Sequence, residues 1–155
     1  NLIQKKSSAL GEDYQEGRKR RTYILFELPF YAGVSYLRDM IFELKAKNIV
    51  PILAHPERYL FLQKKKEFAV ELVKLGVKLQ GNFGSMVGQY GSRANRTLKH
   101  LLKNHLISYL GTDFHHADGS LFLKFEKAEK KIIKLIGINE YRTIIQNGDE
   151  LAKLF

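Results

Sequence analysis

The chain has 155 residues, 45% of them hydrophobic, and no cysteine. It can therefore bury one real core, while a disulfide framework, a thiolate metal site and a cysteine nucleophile are all excluded. The formal net charge is +10, but residues 1–21 hold six Lys or Arg against three acids and the rest hold twenty against thirteen, so the excess is spread along the chain.

Residues 1–21 are polar, carry Gly11 and Gly17 and show no sustained periodicity, which predicts a short helix or loop leading into a single domain over residues 22–155. Asn1 opens no charged-then-apolar signal segment and no run is long enough to span a bilayer, so a cytoplasmic protein is expected. A start at Asn1 rather than Met points to a fragment of a longer chain. Arg18–Arg21 and Lys64–Lys66 are basic clusters without aromatic interleaving or a binding motif; they read as solvated turns, and no nucleic-acid partner is expected.

From Thr22 the pattern changes. TYILFEL is a β-branched and aromatic run stopped by Pro29, and Val34, Leu37, Ile41 and Leu44 then recur at helical spacing. IVPILAH and a helix from Glu67 to Leu75 repeat that unit, as do VKLQGN with Arg93 to Asn104, and LISYLGTDF with Leu121 to Ile136. A short helix from Glu140 to Gln146 and the tail DELAKLF close the chain. Strands alternating with amphipathic helices predict an α/β fold with a parallel sheet and right-handed crossovers. Four such units cannot close a barrel, for which about eight strands is usual, so an incomplete β/α barrel lacking its N-terminal half is expected.

Functional groups in such folds gather at the carboxyl ends of the strands. Those ends carry Glu27, His55, Asn82, and Asp113 with His115. Any one of them has an ordinary explanation, such as a surface carboxylate, a packed histidine or a helix cap. A polar, potentially ligating residue at all four ends argues for a site, and the donors look like half of a metal centre. In HPERY, Pro56 stiffens the turn and disfavours a helical His55, and Arg58 can turn back over the site to meet phosphate oxygens, or else pair with Glu57 on the surface. The loop from Gln80 to Gly91 is rich in small residues and can approach a ligand closely, but it has no P-loop spacing, and Ser85 is not in a nucleophile elbow. His116, His100 and His105 read as outer-shell, structural or solvated.

YILFELP, PILAHPERY, the pattern LxxxGVxLQxNxxSxxGxYG from Leu72 to Gly91, LLKNHLISYLGTDFH and the final NGDEL together resemble the bacterial PHP-domain protein-tyrosine phosphatases of capsular and exopolysaccharide biosynthesis. The resemblance runs from about Thr22 to the C-terminus. It implies a PHP-type distorted β/α barrel with up to three divalent ions, manganese by preference, that hydrolyse phosphotyrosine on a polysaccharide-assembly tyrosine kinase through a metal-activated water. Glu27, His55, Asp113 and His115 would be metal ligands. Arg58 would bind and polarise the phosphate with Asn82 beside it, and His55, Asp113 and Arg58 would carry the catalysis.

Two departures accompany the resemblance. The family's opening His-x-His motif does not precede Asn1, so this piece alone is expected to be inactive. The Arg that commonly follows the TDxH histidine is replaced by His116-Ala117-Asp118-Gly119-Ser120. A catalytically silent PHP-like binding or regulatory module, and another PHP phosphoesterase such as a histidinol phosphatase, are the alternatives.

Overall fold

The computed structural model of the chain describes residues 10–12, 22–29, 35–112 and 119–154. The five strands among the described residues form one sheet in the order β1-β2-β3-β4-β5, from β1 (Leu10–Glu12), β2 (Thr22–Phe26), β3 (Ile49–Ala54) and β4 (Lys78–Asn82) to β5 (Tyr109–Gly111). The four strands from β2 on are mutually parallel, as their alternation with helices requires. The expected short helix or loop before Thr22 is a strand at Leu10–Glu12, paired antiparallel with β2. A three-residue edge strand needs only main-chain partners, and LGE carries no pattern that announces it.

Pro51 lies inside a central strand, where a missing N–H would ordinarily break the ladder. It is tolerated because β3 meets β4 only from Ile52 onward, so Pro51 sits where β3 has a single neighbour, opposite Ile24 of β2.

Helices α1 (Ser35–Ala46), α2 (Leu60–Lys64), α3 (Glu67–Lys74), α4 (Phe83–Met86), α5 (Gly91–Lys103), α6 (Gly119–Ile136) and α7 (Ile138–Ala152) connect and cover the strands. Their apolar positions at helical spacing close one core in which Leu37, Ile41, Leu53, Leu79, Leu98, Leu101 and Ile132 are fully buried. Burying each such side chain contributes about 1.5–3 kcal/mol before entropy is charged against it. The terminal helix is longer than expected, because Tyr141 and Ile144 anchor it to the core and Gly148 does not interrupt it. Helix α5 ends in a Schellman turn, with Leu106 N–H donating to Leu101 C=O and His105 at φ 56°. His105 also meets Glu140 at 2.7 Å on the surface, so its role is structural.

Candidate functional site at the strand ends

The parallel register aligns the carboxyl ends of β2, β3, β4 and β5. Phe26 pairs with Leu53, Ala54 with Gln80 and Asn82 with Gly111, so Glu27, His55 and Asn82 all lie at one edge of the sheet. His55 N–H extends the ladder by donating to Gln80 C=O at 2.8 Å, after which the chain turns sharply into one turn of 3-10 helix over Pro56–Arg58. His55 takes φ 36° and ψ 56°, a left-handed conformation that a non-glycine residue adopts at a cost, and strain of this kind collects at functional sites. The turn is therefore tighter than the extended His55 that Pro56 by itself would favour.

That conformation buries the imidazole and brings its Nε2 within 3.2 Å of Glu27 Oε1, whose side chain is 56% exposed. Two ligand atoms, each about 2.1 Å from one ion and at about a right angle, lie about 3.0 Å apart, so the pair fits two adjacent positions on a single divalent ion. A carboxylate and an imidazole are also the donor types such ions take. No group of three His, Asp or Glu assembles among the described residues, and the other two expected ligands, Asp113 and His115, lie outside them.

The remaining residues of HPERY lock this geometry. Tyr59, fully buried, accepts a hydrogen bond from Leu28 N–H at 3.0 Å and sets its ring 5.5 Å from that of His55, tying the segment after β2 to the turn after β3. Burial pushes the Tyr59 hydroxyl well above the ordinary tyrosine range, so it stays protonated. Glu57 is not a surface partner for Arg58. Its side chain is fully buried, and Oε1 accepts from Asn82 N–H at 3.1 Å and from the Ser85 hydroxyl at 2.6 Å. Burial raises its pKa to about 7 against the opposing pull of those hydrogen bonds, and Oε2 finds no hydrogen-bond partner among the described residues.

Asn82 uses Oδ1 to cap α4, accepting from Gly84 N–H at 2.7 Å. Asn95 then holds α4 to α5 by donating to the carbonyls of Ser85 and Met86. Arg58 sits over the ring of Tyr90 at 4.3 Å. Glu57, Tyr59, Ser85 and Tyr90 are not among the expected site residues; a carboxylate and a tyrosine flanking Arg58 in a strand-end motif are the signal that could have pointed to the first two. Away from the strand ends, Lys127, Lys130, Lys131 and Lys134, all exposed, line a shallow groove along α6.

The sequence model of the family described as capsular polysaccharide synthesis, CpsB/CapC, matches residues 4–153. The chain belongs to that family. The match begins well before Thr22, so it takes in most of the polar lead-in. The tyrosine-protein phosphatase YwqE of Bacillus subtilis is 30% identical over 94 residues, covering 61% of this chain and 37% of YwqE. The putative tyrosine-protein phosphatase CapC of Staphylococcus aureus is 23% identical over 133 residues, covering 86% of this chain and 52% of CapC. A chain from the crystal structures of YwqE and of CpsB from Streptococcus pneumoniae, described as unique metal-dependent tyrosine phosphatases, superposes with a TM-score of 0.76 at 25% identity, over 84% of this chain and 53% of that one. This CpsB/CapC chain thus spans about half the length, or less, of the relatives it matches. No helix among its described residues is long and apolar enough to cross a membrane.

Proposed function

We propose that this CpsB/CapC chain is the C-terminal portion, over residues 22–155, of a PHP-type metal-dependent phosphatase. It acts in the cytoplasm, removes phosphate from phosphotyrosine in a polysaccharide-assembly tyrosine kinase and so regulates capsular and exopolysaccharide synthesis. The observation that carries the reading is the Glu27–His55 pair at neighbouring strand ends, with Arg58 three residues beyond His55. Divalent ions, in this reading manganese and as many as three, would activate water and offset phosphate charge when bound.

Glu27 and His55 would hold them from the ends of β2 and β3, joined by Asp113 and His115 after β5. The buried His55, set by the left-handed turn, fixes one donor while the more exposed Glu27 adapts from the rim. Arg58 reads the equatorial phosphate oxygens, where a planar guanidinium stabilises charge that grows in the transition state. Asn82 adds a polar contact from the end of β4. These four ligands are fewer than a centre of two or three ions needs, so they do not by themselves make an active site.

The test compares turnover of a phosphotyrosine peptide, a phosphoserine peptide and histidinol phosphate by the full-length protein, with chelator and after addition of manganese. Manganese-dependent hydrolysis of the phosphotyrosine peptide above the other two is expected. Preferred hydrolysis of histidinol phosphate would assign a different PHP phosphoesterase activity, and no hydrolysis of any of the three would favour a silent module.

A further inference from the structure

The loop from Gly88 to Gly91 is built to present one aromatic ring. Gly88 and Gly91 have φ 85° and 87°, and a Cβ at either would meet nothing within 4 Å. Conformation, not space, therefore demands glycine at both ends of the turn, which Gly91 N–H closes by donating to Gly88 C=O at 3.0 Å. Between them stands Tyr90, half-buried, with its ring beneath Arg58. On another side the ring lies close to Gly84, where a Cβ would come within 3.1 Å of Tyr90 Cε2. Gly84 in turn is held by the Asn82 cap. A continuous set of contacts thus runs from the end of β4 through Asn82, Gly84 and Tyr90 to the arginine after β3.

We propose that Tyr90 is a positioning residue that holds the Arg58 guanidinium in the orientation in which it receives phosphate. This deepens the phosphatase reading and rests on it. An arginine side chain has much rotamer freedom to lose, so an arginine that is already ordered binds an anion at a smaller entropic cost. An aromatic ring is well suited to that ordering, because contact with it does not consume the N–H donors that a carboxylate partner would occupy. The neighbouring carboxylate that sequence suggests for Arg58 is engaged elsewhere, with Glu57 Oε1 turned inward to Asn82 and Ser85.

The experiment uses the full-length protein with manganese present. It reads the dissociation constant of inorganic phosphate by calorimetry, KM and kcat on a phosphotyrosine peptide, and the urea midpoint of each variant as a folding control. Tyr90→Leu is expected to weaken phosphate binding and raise KM by between about twofold and about thirtyfold, the span of a cation–π contact from exposed to desolvated surroundings, with a smaller change in kcat. Tyr90→Phe, which keeps the ring, should recover the wild-type values to within about twofold. In an Arg58→Ala background, Tyr90→Leu should add less than twofold, which a merely structural role would not produce. Unchanged phosphate affinity in Tyr90→Leu, or an equal loss with and without Arg58, would overturn the proposal. If the wild-type protein binds phosphate but leaves the peptide intact, the phosphatase reading fails while the phosphate titration still decides the role of Tyr90; if it binds no phosphate, both fall.

Discussion

Replacing Glu57 by glutamine removes one buried charge with almost no change in shape, and the size of its effect can be worked out. The carboxyl is fully buried and its pKa is raised from 4.5 to about 7, chiefly by desolvation. A folded-state pKa above the unfolded value means that the folded chain binds more protons between those two values, so stability falls as pH rises through that window. Between pH 5 and pH 8 the wild-type protein loses about 2–3 kcal/mol through this one group, at about 1.36 kcal/mol per pKa unit. The glutamine side chain keeps an acceptor for Asn82 N–H and the Ser85 hydroxyl but cannot ionise. Urea denaturation with chelator present, at one-unit steps from pH 5 to pH 8, would measure the difference between the two proteins. With a slope of about 2 kcal/mol/M, the wild-type midpoint should fall by about 1 M or somewhat more relative to that of Glu57→Gln. Parallel profiles, within about 0.5 kcal/mol at every pH, would show that Glu57 is not a desolvated carboxyl held inside the turn.

Tyr59→Phe should destabilise the protein by about 1–3 kcal/mol, because the ring still packs while Leu28 N–H is left buried without its acceptor; a denaturation midpoint equal to wild type would contradict the tie between β2 and β3. Ser85→Ala should cost about 1–3 kcal/mol by removing the 2.6 Å donor to Glu57, and should cost less in the Glu57→Gln protein, as a double-mutant cycle would show. Leu98→Ala should lower stability by about 2–5 kcal/mol without altering the metal requirement of the full-length protein, since Leu98 is fully buried in the core and distant in role from the strand ends.

Much of the fold is legible because its signals are local. TYILF and IVPILA carry the β-branched runs of buried parallel strands, and Phe68, Leu72, Leu98, Leu101, Phe125 and Ile132 repeat at helical spacing, so the alternation of strands and helices follows from periodicity alone. The strand Leu10–Glu12 is not legible, since its reason to be extended is a partner strand and not its own side chains. The far end of α7 is hidden because Asn147 and Gly148 read as a stop, whereas packing of Tyr141 and Ile144 carries the helix through to Ala152. At the site, Glu27 and His55 announce themselves as polar residues that end apolar runs. Glu57 and Ser85 cannot, because they lie 28 residues apart in sequence and meet only when β3 and β4 are side by side. Tyr90 likewise gains meaning only from the arginine above it.

If Glu27 and His55 hold a catalytic divalent ion, the manganese dependence of phosphotyrosine-peptide hydrolysis by the full-length protein depends on both residues. Wild-type activity should vanish with chelator and return with manganese, and both Glu27→Gln and His55→Ala should raise the half-saturating manganese concentration by at least about a hundredfold, the upper end of what loss of an outer-shell partner costs. Hydrolysis that survives chelation, or variants whose manganese dependence superposes on that of the wild type, would contradict the account.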